Sequence, residues 1–436
     1  MPTLEERLNT VLPSSVEFEL LHLLSPSKET HPLVLESFPV RGNRRVVKAQ
    51  HFFALASAHK IFYALEVYVY ITLGSESCEK LVFVSKADTN GYCDHGLSMK
   101  DVTKALIEYV SSIIPDFYLQ RVIERPERRK VQIDAITQQT TTKRALRILK
   151  NRLETEHKFS SRSIQDVYTK IERPSSQWSC KICLFTRSEP QYLFAESSHN
   201  TKKHILPGNK LLKWWLSVID DILINIFSHE TTARLQIPGE ETLVTHKHIR
   251  NLKSRNWRVG DIFDGRPDDP AVFKIPLFPD DPKGRFLEQL VDEGRARKVS
   301  LSQFWVELQI QQEFRLGDTV SVIGVSGSIK PSACQSVADD EVIRTNSRKI
   351  FNMIKSYITG EEYDNEEGPL DAYTNVKDFL QLRLGRSTIS IRGRKKLETS
   401  PRHQNSGIPY KTDSAQICKP KPQTLNAQLV RKKAKK

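Results

Sequence analysis

The sequence predicts a mixed α/β fold, and three observations carry that prediction. Residues 46–86 hold runs rich in β-branched and aromatic side chains, as strands do. Residues 211–227 repeat their apolar side chains at helical spacing, with Leu212, Trp215, Ile219, Ile222 and Ile226 on one face. Strand-like and helix-like segments then interleave as far as residue 384, with no internal repeat.

The elements follow in order. Residues 51–56 and 61–73 read as strands joined by the turn Ser57-Ala58-His59-Lys60, and 81–84 as a third strand. Ser98 caps a helix running to about residue 113, with Val102, Leu106 and Val110 in register. Residues 181–187 are a strand, as are 258–263, 271–278 and 320–325. Asp281 and Pro282 open a helix that includes 286–291, because Asp suits the cap and Pro the first turn. Further helices are expected over 302–314, 348–358 and 375–384.

Two regions break this pattern. Residues 121–165 are polar and basic, and only Leu146, Leu149 and Leu153 suggest an amphipathic helix, so they read as a mobile insertion. From residue 386 periodicity is lost in a disordered basic tail ending in Arg431-Lys432-Lys433-Ala434-Lys435-Lys436. The expected organisation is therefore a 1–385 domain carrying the insertion, followed by a 386–436 tail.

Charge sharpens the division. The chain carries a formal net +14, yet residues 386–436 alone hold 14 Lys and Arg against 2 Asp and Glu. The stretch 121–162 adds 12 basic and 5 acidic residues, which leaves the remaining body slightly acidic. A phosphate-tracking surface is not built this way, so direct nucleic-acid binding is not the primary expectation. The body suits a basic partner, and the tail an acidic partner or an import receptor.

Glu5, Glu6 and Arg7 stand where the apolar core of a signal peptide would be. The apolar stretch 61–73 is too short to span a bilayer and is interrupted by Glu66, so no membrane association is expected. Six cysteines are sparse for 436 residues and suggest a reducing compartment. Cys180-Lys181-Ile182-Cys183 has no second half at finger spacing and reads as strand, so no metal is expected.

Candidate chemistry is scattered. Asp280-Asp281-Pro282-Lys283 places two carboxylates and an amine at a helix start. That arrangement caps a helix, and it can also take a proton from an incoming amine. Of Trp214 and Trp215 only Trp215 shares the buried face; Trp214 lies about 100° away and packs on the core or walls a ligand site. The segment Gly96 to Lys100 runs into a helix N-terminus, whose free amides suit phosphate. Lys202-Lys203-His204 is a basic loop that is either simply solvated or helps hold a nucleotide. No GxxxxGK[ST], GxGxxG, GxSxG, HExxH or Gln/Arg-x-x-Gly-x-Gly/Ala motif occurs, so the residues by themselves stop at a cleft with carboxylates and an anion site.

Longer strings go further. His51-Phe52-Phe53, Leu65-Glu66-Val67-Tyr68-Val69-Tyr70, the run from Phe83 to Cys93, and Lys181 to Arg187 stand in one order with further matching runs. Those are Gln191-Tyr192-Leu193-Phe194, Lys202 to Leu206 with Trp214-Trp215, Ile275 to Arg285, and Ile358 to Asp364. Together they resemble the fungal histone acetyltransferases of the regulator-of-Ty-transposition type, over residues 45–385.

The resemblance implies a central sheet of about seven strands wrapped by helices, similar to the metazoan coactivator acetyltransferases. It implies transfer of acetyl from acetyl-coenzyme A, without a metal, to lysines in the globular core and tail of histone H3. The substrate would be chaperone-bound H3–H4 in the nucleus, serving replication-coupled nucleosome assembly, transcription regulation and the DNA-damage response. The partners implied are histone chaperones of the nucleosome-assembly and anti-silencing families, whose acidic surfaces suit the basic insertion and tail.

By position, the cofactor would lie against Ala87, Asp88, Thr89, Gly96, Leu97, Ser98, Met99, Lys100, Phe185, Glu189, His204, Ile205, Leu206 and Trp214. Asp281 stands at the proton acceptor, Asp280 and Asp88 shape an acidic pocket, and Trp215 and Tyr192 line the lysine tunnel. Lys283 corresponds to a buried lysine that becomes autoacetylated, and Arg285 to a nearby ion-pair partner. Position 96 is Gly where a basic side chain is expected, which leaves the pyrophosphate to Lys100. The competing reading is a non-catalytic chromatin- or chaperone-binding module that depends on the basic tail and needs no Asp281.

Overall fold

Two long antiparallel strands form the spine of the protein in a computed structural model that describes residues 2–14, 16–35, 44–125, 168–260, 263, 265–310 and 319–396. These are β3 (Arg45–Ser57) and β4 (Lys60–Leu73), joined where Ala58 and His59 both take positive φ, the geometry of a type I′ hairpin turn. Around them lie β1 (Glu17–Leu24), β2 (Ser27–Thr30), β5 (Cys78–Thr89), β6 (Val122–Ile123), β7 (Ser179–Thr186) and β8 (Thr232–Gln236). The remaining strands are β9 (Trp257–Val259), β10 (Ser321–Gly327), β11 (Ile343–Arg344) and β12 (Ile389–Arg392). They form one mixed sheet in the order β11-β1-β3-β4-β5-β7-β10-β8-β9, with β12 on β1 and β2 linking β3 to β6.

The expectation of about seven strands describes the centre of this sheet. β1, β3, β4, β5, β7, β8 and β10 are each five residues or longer, whereas the other five are short marginal strands. Those margins pair segments far apart in sequence, such as Leu20 with Ile389, and carry little local pattern.

Helices cover both faces. α1 (Leu4–Asn9), α2 (Met99–Ser112), α3 (Asp116–Leu119) and α4 (Gly208–Ile226) pack on one side with the odd-numbered residues of β4 from Leu65 to Leu73. α5 (Thr242–Ile249) closes the edge near β8 and β9 through Ile249 and Trp257. On the other side α6 (Pro282–Asp292) and α7 (Leu301–Leu308) cover Tyr68, Tyr70 and Phe83. α8 (Arg348–Thr359) and α9 (Glu367–Phe379) cover Phe52, Ala54 and Ala64.

Local chemistry explains the ends of the helices. Ser98 caps α2 as expected, its hydroxyl accepting the Asp101 N–H at 3.3 Å. The other end of α2 is closed by a buried side chain from the sheet: Lys80 Nζ donates to the carbonyls of Val110, Ser111 and Ile113 at 2.5, 3.1 and 2.6 Å. Burial pushes that amine down to about 8. Lys80 and Cys180 stand opposite each other in β5 and β7.

Several expectations need correction. Residues 271–278 are not a strand but a 3-10 turn, Ala271–Phe273, followed by irregular chain. Pro270, Pro276 and Pro279 withhold the N–H groups a ladder needs, and the apolar side chains of Ala271, Val272, Ile275 and Phe278 fill the second core instead. Among the described residues β9 ends at Val259 and α7 at Leu308, whereas 261–262 and 311–314 of the expected strand and helix lie outside them. The last helix begins earlier than expected, at Glu367, and continues as a π-turn over Leu380–Leu384. Cys180 faces the first core and Cys183 the second, so this CxxC puts its thiols on opposite sides of β7. Ile389–Arg392 pairs with β1 as a short strand, four residues past the expected boundary at 385. Most of the 121–165 insertion and of the 386–436 tail lies outside the described residues.

Candidate active site

The C-terminal end of β5 is where the candidate residues converge. On one side of it is a cavity of about 270 Å³, bounded by Phe83 to Ala87, the end of β7, Gln191, Tyr192 and the start of α6 with Asp280, Asp281 and Arg285. On the other side is a cavity of about 330 Å³, bounded by Ala87 to Thr89, Met99 and Thr103 of α2, and Lys203 to Leu206. Both are lined by Ala87, Glu189, Tyr192, Leu211 and Trp215. The two spaces thus share a wall.

Asp281 is the N-cap of α6: its Oδ1 accepts the Lys283 N–H at 3.1 Å. Lys283 Nζ curls back to both carboxylate oxygens at 2.7 Å, and neither side chain is exposed to solvent. The ammonium also lies 5.2 and 5.8 Å from the ring centres of Phe185 and Phe278, within cation–π range. Asp281 thus accepts three hydrogen bonds, all of them from Lys283.

Asp280 differs from its neighbour. It adopts φ of 56°, is half exposed, and pairs with Lys86 at 2.6 Å and with Arg285 at 3.7 Å. The Lys86 hydrogen bond, against the opposing effect of burial, holds its carboxyl below the usual range. Arg285 is therefore an ion-pair partner, but of Asp280.

Asp88 is a structural anchor. One oxygen accepts the N–H groups of Tyr192 and Leu193 at 2.8 and 2.9 Å and of Phe194 at 3.4 Å. The other accepts the Thr89 N–H and Lys203 Nζ, both at 2.9 Å. Its acceptor capacity is filled by donors of the protein itself.

The aromatic residues divide as the helical wheel required. Trp215 is buried and Trp214 half-buried, their rings meeting edge to face at 4.8 Å. Trp214 lines only the larger cavity, while Trp215 lines both. The Tyr192 hydroxyl donates to the Arg187 carbonyl, and burial pushes this phenol well above its ordinary value.

Of the residues expected along the cofactor, Ala87, Asp88, Thr89, Met99, Glu189, His204, Ile205, Leu206 and Trp214 line the larger cavity. Phe185 lines the smaller one, beside Lys283. Gly96, Leu97, Ser98 and Lys100 line neither. Lys100 pairs with Asp221 of α4 at 2.6 Å, Leu97 packs on the core, and the Ser98 hydroxyl is used as a cap. The sequence reading missed Leu211 in the shared wall and Lys86 beside Asp280, and it offered Lys203 only as part of a basic loop, solvated or holding a nucleotide. Leu211 was legible as the residue preceding the apolar face of α4, whereas the two lysines carried no signal of inward placement. Among the described residues no group of three or more His, Cys, Asp or Glu side chains could hold a metal ion.

Comparison with known proteins gives this geometry a context. Residues 4–379 match the histone acetyltransferase KAT11-type domain. The chain is 35% identical over 320 residues to histone acetyltransferase RTT109 of Candida albicans, a stretch that is 71% of this chain and 83% of that protein. It is 32% identical over 154 residues to histone acetyltransferase rtt109 of Schizosaccharomyces pombe, covering 32% of this chain and 39% of that one. The crystal structure of Rtt109 from Aspergillus fumigatus superposes with a TM-score of 0.64 at 20% identity, over 90% of this chain and 100% of the other, which is a likeness of fold.

Proposed function

This chain belongs to the KAT11-type histone acetyltransferases, and we propose that its two adjoining cavities divide the reaction between them, acetyl-coenzyme A in the larger and the substrate lysine in the smaller. As a histone lysine acetyltransferase it uses acetyl-coenzyme A as its co-substrate. The shared wall of Tyr192, Leu211 and Trp215 supports the division, since two reactants meeting across it are held in line and need not find each other in solution.

An apolar lining of Leu206, Leu211 and Trp214 suits an acyl thioester and its pantetheine arm, with Thr89 and the main chain at 204–206 supplying polar contacts. Lys100, expected at the pyrophosphate, is held by Asp221 at 2.6 Å, and Lys202 faces Asp94 and Glu366 at 3.9 and 3.7 Å. The amine of the incoming lysine has a reference pKa of about 10.4 and must be neutral to attack the thioester carbonyl. Trp215 and Phe185 favour the neutral amine by excluding water. Once its pair with Lys283 opens, Asp281 Oδ2 orients that amine and stabilises the positive charge it gains on attack. Because Asp281 is already bonded to Lys283 through both oxygens, we assign it this electrostatic role, with the proton leaving through water. Tyr192 is a wall and not an acid, since its hydroxyl is already spent on Arg187.

The finer reading is that the lysines are those of histone H3, presented as H3–H4 by acidic chaperones of the nucleosome-assembly and anti-silencing families in the nucleus. That assignment serves replication-coupled assembly and the DNA-damage response. The basic run 121–162 and the basic tail suit such chaperones. Lys283 is the proposed autoacetylation site, and its amine reaches the acetyl donor only if the pair with Asp281 opens.

The experiment is labelled acetyl transfer to H3–H4, with and without an acidic chaperone, for the native chain and for Asp281→Asn. Label is expected on H3, with kcat about 10²-fold lower in the variant, the low end of what one proton-handling group contributes. Label on other histones only would remove the H3 assignment. No transfer under any condition would favour the non-catalytic chromatin-binding module.

A further inference from the structure

We propose that Lys203 is a positioning residue for acetyl transfer, a buried cation that locks the Tyr192 wall between the two cavities by clamping Asp88. The inference rests on the division of the cavities argued above. Lys203 came from a basic loop and would ordinarily be solvated, yet its side chain is only 4% exposed and that of Asp88 only 7%. Its ammonium donates to Asp88 Oδ1 at 2.9 Å and to Ser197 Oγ at 2.8 Å. The Ser197 hydroxyl, accepting from Lys203, donates in turn to the Phe194 carbonyl at 2.7 Å. Phe194 closes the circuit, its own N–H reaching Asp88 Oδ2 at 3.4 Å.

The ring Lys203–Ser197–Phe194–Asp88 therefore encloses the start of the loop that carries Tyr192. Its backbone is held by the same carboxylate at residues 192 and 193. A second layer fixes the main chain under Lys203. The Asn200 amide donates to the Asn90 carbonyl at 2.7 Å, and the Asn90 amide to the Ile61 carbonyl at 2.7 Å. Gly91, at φ of 88°, lies so close that a Cβ there would stand 2.7 Å from the main-chain nitrogen of Lys203.

A buried carboxylate gathering backbone amides needs a counter-charge, and Lys203 is the cation bonded to it. Lys202, by contrast, points outward toward Asp94 and Glu366 at 3.9 and 3.7 Å. Lys203 thus acts through Asp88 and the wall, although its side chain also reaches the edge of the larger cavity.

The test joins hydrogen exchange with steady-state kinetics on the full chain. In Lys203→Met the amides of Tyr192, Leu193 and Phe194 are expected to exchange at least about tenfold faster, with those of β3 and β4 unchanged, because the clamp opens locally. The kcat for acetyl transfer falls at least about tenfold, while the KM for acetyl-coenzyme A stays within about threefold, the pattern of lost alignment and not of lost binding. Lys203→Arg, which keeps charge and donors, recovers most of both. Combining Lys203→Met with Asp88→Asn costs no more than the worse single change, because the two residues act as one unit.

Unaltered exchange and kcat with a raised KM would make Lys203 a direct cofactor contact and overturn the proposal. Additive kinetic effects would overturn it as well. If Lys203→Met does not fold, Ser197→Ala cuts the ring at the hydroxyl and is expected to speed the same three amides by a smaller factor; unchanged exchange there refutes the clamp. No transfer by the unmodified chain would overturn the functional reading of the cavities, whereas transfer with unaltered exchange would overturn only the role of Lys203.

Discussion

Replacing Lys283 by Met is expected to cost about 3–5 kcal/mol of folding stability, more than any other single change at this site, because it strands a buried carboxylate. Asp281 and Lys283 are both shielded from solvent and contact each other through two bonds of 2.7 Å. Methionine matches the length of the lysine stem but brings no charge, so Asp281 must either stay ionised in an apolar site or take up a proton. Either outcome is unfavourable at neutral pH. The sign of the pH dependence follows. An unpaired buried carboxylate has its folded pKa raised above the unfolded value, so the folded form binds the extra proton and stability falls as pH rises between the two. Guanidinium unfolding should therefore find Lys283→Met closer to the native chain near pH 4 than at pH 7. Adding Asp281→Asn, which retains the helix cap, should recover most of the loss. A single-variant cost below about 1 kcal/mol, or no recovery in the double variant, would mean that the pair is not buried as described. Acetylation of Lys283, proposed above, removes the same charge and would loosen Asp281 in the same way.

What the residues themselves disclosed followed from local patterns. The hairpin β3–β4, the Ser98 cap, the Asp281-Pro282 start of α6 and the division between Trp214 and Trp215 all depend on neighbours within a turn or two. Their physics is therefore written in short strings. The marginal strands were not legible, because Ile343–Arg344 and Ile389–Arg392 gain their order from β1, more than 300 residues away. The prolines between 270 and 282 were visible, but the apolar side chains among them have the composition of a strand, and only tertiary packing turns them into a core-filling loop. The lysines were the least legible part of the site. Lys80 and Lys203 carry no sign of burial in their own strings, yet each is buried against partners that the fold supplies: three helix-end carbonyls and Asp88. The resemblance to the fungal acetyltransferases named Asp88, Asp281 and Lys283, yet it did not carry the cation that holds Asp88.

Acid should unfold this protein early, with His22 and His51 responsible for a loss of about 4 kcal/mol between pH 7 and pH 5, or roughly 2 kcal/mol for each ring. The two imidazoles sit inside the sheet in one hydrogen-bonded chain. His22 Nδ1 meets the Glu341 carbonyl at 2.8 Å, His22 Nε2 meets His51 Nδ1 at 2.9 Å, and His51 Nε2 meets the Tyr118 hydroxyl at 2.9 Å. A carbonyl only accepts, so His22 donates from Nδ1, and His51 must donate from Nδ1 to the remaining His22 nitrogen. His51 Nε2 then accepts from Tyr118, and both rings are neutral with no free nitrogen for another proton. Burial drives His22 down to about 3, and burial followed by the charges of His22, Lys80 and Arg344 drives His51 well below its ordinary value. Both folded values lie below the unfolded reference of about 6.5, so the unfolded chain binds more protons in the window from about 6.5 down to about 3. The stability these rings contribute is thus complete above that window and is lost as pH falls through it. Denaturant unfolding at pH 7 and pH 5 should show the loss in the native chain and not in a His22→Gln/His51→Gln variant. Ring resonances followed by NMR provide the check that does not depend on the variant folding. A His22 or His51 signal titrating near pH 6.5 in the native chain would refute the buried relay, and with it the acid limb predicted from it.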